Sequence, residues 1–163
     1  MGIDSKQFVI FSKPFIDAAK NVFETMAFTS LQTGKPIIKK ELDPKGEVLS
    51  RLKLSGVHTP TKKEYEAILT LSCSRETYLN IASAILMEEI RDYDDDYMQI
   101  GEELIKMILG SAKRDLTGLG FSSYADENQN QNYPYSSTVV EVPIECSHGK
   151  MYFDIYYNDV LGQ

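Results

Sequence analysis

The chain has 163 residues, a formal net charge of −7 and a sequence pI near 4.9, an acidic balance that argues against general nucleic-acid or anionic-membrane binding, since both need clustered positive charge. A composition 42% hydrophobic and 25% charged, with a mean hydropathy of −0.28, is that of an ordinary globular chain rather than a disordered or membrane-embedded one. The length predicts one domain over residues 1–163. With no run approaching the roughly 20 apolar residues that span a bilayer and no charged-then-apolar leader, a cytoplasmic location is expected.

Ser12 is placed to cap a helix whose first turn holds Pro14, where the missing N–H is no loss, and which runs to about Ala27. Phe15, Ala18, Ala19, Val22, Phe23 and Met26 recur at helical spacing and form its core face, leaving Asp17, Lys20 and Glu24 outside. After Gly34-Lys35-Pro36, residues Ile37 to Leu42 read as a short strand. A turn at Pro44-Lys45-Gly46 leads to a second, half-buried strand that ends at Gly56, with Val48, Leu52 and Leu54 on one side. Their closeness in sequence predicts that these two strands form a hairpin.

His58 to Lys63 reads as a connection, and the period-two run Tyr65, Ala67, Leu69, Leu71 and Cys73 as a strand. Ser74 caps a helix from Arg75 to about Tyr93, with Leu79, Ala82, Ile85, Leu86 and Ile90 inward. Asp94-Asp95-Asp96 offers oxygen ligands to a hard cation, but acidic residues are also favoured where a helix begins, as one does here. Metal binding by this cluster, in a small-ligand sensor or enzyme, stands as a separate functional class.

The next helix, Met98 to Leu116, is two-faced. Ile100, Leu104, Ile105, Met107, Ile108, Leu109 and Ala112 belong to the core, while Gln99, Glu102, Glu103, Lys106, Gly110 and Lys113 point outward. Gly118 and Gly120 end it. Phe121 opens a long polar connection that includes Asn128 to Asn132.

Val140, Val142, Ile144 and Cys146, then Met151, Phe153, Ile155 and Tyr157, alternate with polar residues on either side of Ser147-His148-Gly149, which is the clearest hairpin signal in the chain. Pro143 lacks a ladder donor, so its strand is expected at an edge or with an irregularity at that residue. His148 is a turn residue in this reading. Cys73 and Cys146 read as buried reduced thiols, and with only two histidines they make no zinc-ligand spacing. A phosphate-binding glycine loop and a nucleophilic-serine motif are also missing. Hairpin connections together with amphipathic helices predict an α+β fold with a mainly antiparallel sheet.

Three stretches resemble the CheX branch of the CheC/CheX/FliY family of chemotaxis phosphatases. Lys13 to Met26 is similar to that branch's opening helix, and Arg75-Glu76-Thr77 with Ile81 to Leu86 to the helix before its reactive one. Ile100 to Lys113, IGEELIKMILGSAK, is similar to the reactive helix itself. The resemblance implies a CheC-like α+β domain, often homodimeric, that acts on a phosphorylated CheY-like response regulator by hydrolysing its aspartyl phosphate. It implies no cofactor of its own, the regulator bringing Mg²⁺.

In the family, Glu-x-x-Asn places a carboxylate against the regulator's active-site lysine and an amide that holds water in line with phosphorus. Glu103 falls at the glutamate position and Lys106 at the asparagine position, with Gln99 where Asp or Ser is common. Glu103 and Lys106 are thus the expected catalytic pair, and Gln99, Glu102, Glu103, Lys106 and Lys113 the expected partner-binding face. A charged lysine has three donors and no acceptor. Hydrolysis would then use Lys106 electrostatically or borrow another water-positioning group such as Gln99. The alternatives are a non-catalytic module of the same fold that sequesters the receiver, and a solvated i,i+3 ion pair with no further role.

Overall fold

Alternating and helical periodicities in the sequence resolve, in the computed structural model, into a seven-stranded antiparallel sheet with helices on one face. The described residues are 5–39, 46–92, 98–125 and 139–158. The Asp94–Asp96 cluster, the Asn128–Asn132 run, Pro44-Lys45 and the strand expected beyond Lys39 lie outside them. The elements are α1 (Ser5–Met26), β1 (Gln32–Thr33), β2 (Ile37–Lys39), β3 (Val48–His58), β4 (Lys63–Cys73), α2 (Arg75–Leu86), α3 (Met98–Gly118), β5 (Phe121–Ala125), β6 (Val139–Cys146) and β7 (Gly149–Asn158). None of the helices among the described residues is long and apolar enough to cross a membrane.

The strand order is β1-β6-β7-β4-β3-β5, with β2 also on β6. This order is a palindrome: exchanging β1, β3 and β4 for β5, β6 and β7 turns it into its own reverse, and the same exchange takes α1 into α3. The burial patterns agree, since Asp17–Glu24 and Glu103–Gly110 share buried pairs at Ala18-Ala19 and Val22-Phe23, and at Leu104-Ile105 and Ile108-Leu109. Each half is therefore a helix followed by strands, and each lends strands to the other half's edge.

One core lies between the sheet and the helices, built from the period-two positions of β4, β6 and β7 and the helix stripes of α1 and α3. The other sheet face is not the open polar surface that alternation implies. Ile68, Val139 and Tyr156 cluster there, and Lys53 is buried with its ammonium 3.7 Å from Glu66.

Several expectations need correction. The first helix starts at Ser5, not at a Ser12 cap, so Pro14 sits inside it. The lost hydrogen bond at Pro14 is offset by burial of Phe11, whose ring meets those of Phe15, Tyr65, Phe121 and Tyr157 at 4.7–5.5 Å. The hairpin of β2 with β3 does not form: β2 pairs with β6, and β3 with β4 and β5. The second helix stops at Leu86 rather than near Tyr93, because Met87 turns left-handed (φ 57°) and Ser83 Oγ accepts from Ile90 N–H at 3.0 Å. Its buried residues are Thr77, Tyr78, Ile81 and Ala82; of the residues expected inward, Ala82 and Ile90 are buried and Ile85 packs against the core, while Leu79 is half-buried and Leu86 exposed. Finally, Phe121 starts β5 instead of a loop, and Cys146 is half-buried while Cys73 is buried.

The β6–β7 hairpin, the Ser74 cap (Thr77 N–H to Ser74 Oγ, 3.1 Å) and the helix end at Gly118 match expectation. At Pro143 the outer ladder of β6 breaks, as anticipated: residues 34–36 pass it between β1 and β2, and Gly34 N–H donates to the Pro143 carbonyl at 2.8 Å. His148 is a turn residue, its Nε2 donating to the Ala27 carbonyl at 2.9 Å.

Candidate functional site on helix α3

The height at which α3 rides on the sheet is set in its first turn. Gly101 N–H, in that turn, donates to the buried Tyr78 hydroxyl at 3.0 Å and so ties α3 to α2. A Cβ on Gly101 would stand 2.9 Å from Ser50 Cβ and 3.2 Å from Tyr78 Cε2, and closer still to Ser50 Oγ. Only glycine permits this approach. Leu104, Ile105, Ile108, Leu109, Ala112 and Leu116, all buried, then lock the inner face.

The outer face follows from that anchoring. Gln99, Glu102, Glu103, Lys106 and Lys113 are all exposed, and their helical angles place them in one stripe about 21 Å long. Glu103 Oε1 and Lys106 Nζ are 3.6 Å apart, with side chains 65% and 57% exposed. At such exposure the pair is a solvated contact of about 0.2–0.5 kcal/mol, too weak to fix either side chain against a competing charge. All the site residues expected from the sequence are thus brought together on one face.

Reasoning from the sequence missed two neighbours of this face. Gly101 lies three and four residues before Leu104 and Ile105, on the apolar side of the helix, and a glycine there was a readable sign of close approach. Beside the stripe, α1, α2 and α3 enclose an apolar groove of about 380 Å³ whose rim includes Gln99 and Glu103. Its walls come from three separate elements, which no local pattern could have joined.

The antiparallel α+β architecture is that of CheC-like proteins. A CheC-like superfamily protein from Shewanella sp. PV-4 superposes with a TM-score of 0.69 at 26% identity, covering 92% of this chain and 98% of that one. CheX from Borrelia burgdorferi, solved as a complex with CheY, BeF3 and Mg²⁺, gives 0.66 at 25% identity over 90% and 96%. A chemotaxis protein CheX from Desulfovibrio desulfuricans gives 0.66 at 20% identity over 90% and 98%, a likeness of fold. No curated protein matches the chain in sequence. Residues 57–144 match the family described as chemotaxis phosphatase CheX, and the chain belongs to that family.

Proposed function

We propose that this protein engages a phosphorylated CheY-like response regulator on the exposed stripe of α3, and that Lys106 in place of the family amide makes it a poor hydrolase of the aspartyl phosphate. The observation that carries this reading is Glu103, held on an open face with only a weak tie to Lys106, where the resemblance would put the family's carboxylate. A lysine from the receiver's active site, arriving at Glu103, competes with Lys106 and repels it toward the phosphoryl oxygens. There its charge attracts the phosphoryl group.

Hydrolysis requires water in line with the phosphorus–oxygen bond that breaks, the aspartate carboxylate leaving. An amide accepts a hydrogen bond from that water through its carbonyl, which a charged ammonium cannot do. Gln99, four residues before Glu103 on the same stripe, is a neutral amide available for that task. The receiver supplies Mg²⁺ in this reading, the setting is cytoplasmic, and a homodimer is carried over from the family as an expectation that sedimentation tests.

The decisive experiment follows phosphate release from a phosphorylated CheY-like receiver. Lys106→Asn should raise release on the order of tenfold or more over the parent, and Glu103→Ala should weaken receiver binding in both backgrounds. A parent that binds without accelerating release is a sequestering module. An Asn variant as inert as the parent, while still binding, would refute the assignment of the reactive pair. Failure of the parent to bind any CheY-like receiver would refute the reading as a whole.

A further inference from the structure

The apolar walls of the groove beside Glu103 are not used by the reactive pair, although Glu103 stands at its rim. Met26 of α1, Ile85 and Leu86 of α2, and Leu104 and Met107 of α3 form its walls, and Leu86 is 43% exposed at the end of its helix. Its rim, Gln99 and Glu103, is shared with the docking stripe. A partner seated over Glu103 therefore covers the mouth of the groove.

We propose that the groove receives an aliphatic or aromatic side chain which the receiver carries close to its active-site lysine, and that this contact supplies most of the affinity; the proposal rests on the docking reading above. Glu103 and Lys106 are too exposed to give much binding energy through charge alone. Apolar walls next to a carboxylate rim match a partner that offers a cation and an apolar side chain side by side. Methionine at positions 26 and 107 suits a contact that must adapt, because an unbranched thioether chain repacks around different shapes. Filling the groove also displaces water that has few polar partners there.

The test uses the intact chain and CheY-like receivers of the same organism, held in the activated form with Mg²⁺ and beryllofluoride. Leu86→Lys, at an exposed position, should raise the dissociation constant on the order of 10- to 100-fold, the value of losing one buried aliphatic contact. In the parent protein, methyl resonances of Met26, Ile85, Leu86 and Met107 should shift on receiver addition. If Glu103→Ala weakens binding but Leu86→Lys and the methyl resonances register nothing, the groove is not the contact, and the docking stripe stands without it. If the parent binds no receiver, the docking reading falls instead. A Leu86→Lys effect with no methyl shifts at Met26 or Met107 overturns the groove as well, because the loss then arises at the helix end alone.

Discussion

Replacing Gly101 by alanine sets a local gain against a tertiary clash, and the distances decide the sign. Alanine in a helix is worth about 0.8–1.0 kcal/mol over glycine. Against this, the new methyl would lie 2.9 Å from Ser50 Cβ and 3.2 Å from Tyr78 Cε2, an overlap that forces α3 to lift from β3. Overpacking of this kind costs about 1–3 kcal/mol. Displacing Gly101 N–H from the Tyr78 hydroxyl, a bond of 3.0 Å, adds about 0.5–1.5 kcal/mol. The net expectation is a loss of about 0.5–3.7 kcal/mol, which for a chain of this length lowers the melting temperature by about 2–4 °C for each kcal/mol. Urea unfolding followed by circular dichroism measures it. Adding Ser50→Gly removes both Ser50 atoms that the methyl meets, so the double variant should lose less than the two single changes combined. A Gly101→Ala protein as stable as the parent would show that helix propensity governs this turn and that the seat of α3 is not set here.

Ser74→Ala removes the acceptor for Thr77 N–H and should cost about 0.5–2 kcal/mol in the same assay without changing receiver binding. Stability should also fall at alkaline pH. Burial pushes the Cys73 thiol from its ordinary 9.0 up to about 12, with Cys146 adding to the rise, so the folded state keeps a proton that the unfolded chain releases. Its contribution is whole below about pH 9 and is lost as pH climbs through 12, at up to about 1.4 kcal/mol per pH unit. Burial moves Tyr65 the same way, from 10.0 to about 12. Cys73→Ala should make the decline between pH 9 and 12 shallower, and an unchanged slope would refute the assignment.

What could be read from the sequence depended on how far apart the interacting residues lie. The stripe from Gln99 to Lys113 was legible because a helix brings residues three and four apart onto one face by its own geometry. The β6–β7 hairpin was legible for a similar reason, its partners being separated by a short turn. By contrast, β2 finds its partner a hundred residues later, with Ile38 opposite Val140, so adjacency suggested β3 wrongly. Pro14 was read by its commonest role at a helix start, but aromatic packing of Phe11 against Tyr65, Phe121 and Tyr157 holds two further turns in front of it. Ile90 is buried as the apolar spacing implied, although the helix has already ended; Ser83 ties it down from the side. The internal twofold relation left no visible repeat in the sequence, because Asp17–Glu24 and Glu103–Gly110 share their burial pattern but only one identical residue, Lys20 against Lys106.

The palindromic strand order makes the two halves hostages of one another. Strands β1 and β2 are hydrogen-bonded to β6, and β5 to β3, so each half finishes its sheet on the other's backbone. A cut between α2 and α3 would yield two fragments that each lack an edge the other carries, and that regain structure by recombining rather than alone. The reactive-looking helix is therefore seated on elements of the first half: Gly101 on Ser50 of β3 and Tyr78 of α2. Loosening either half would move that helix.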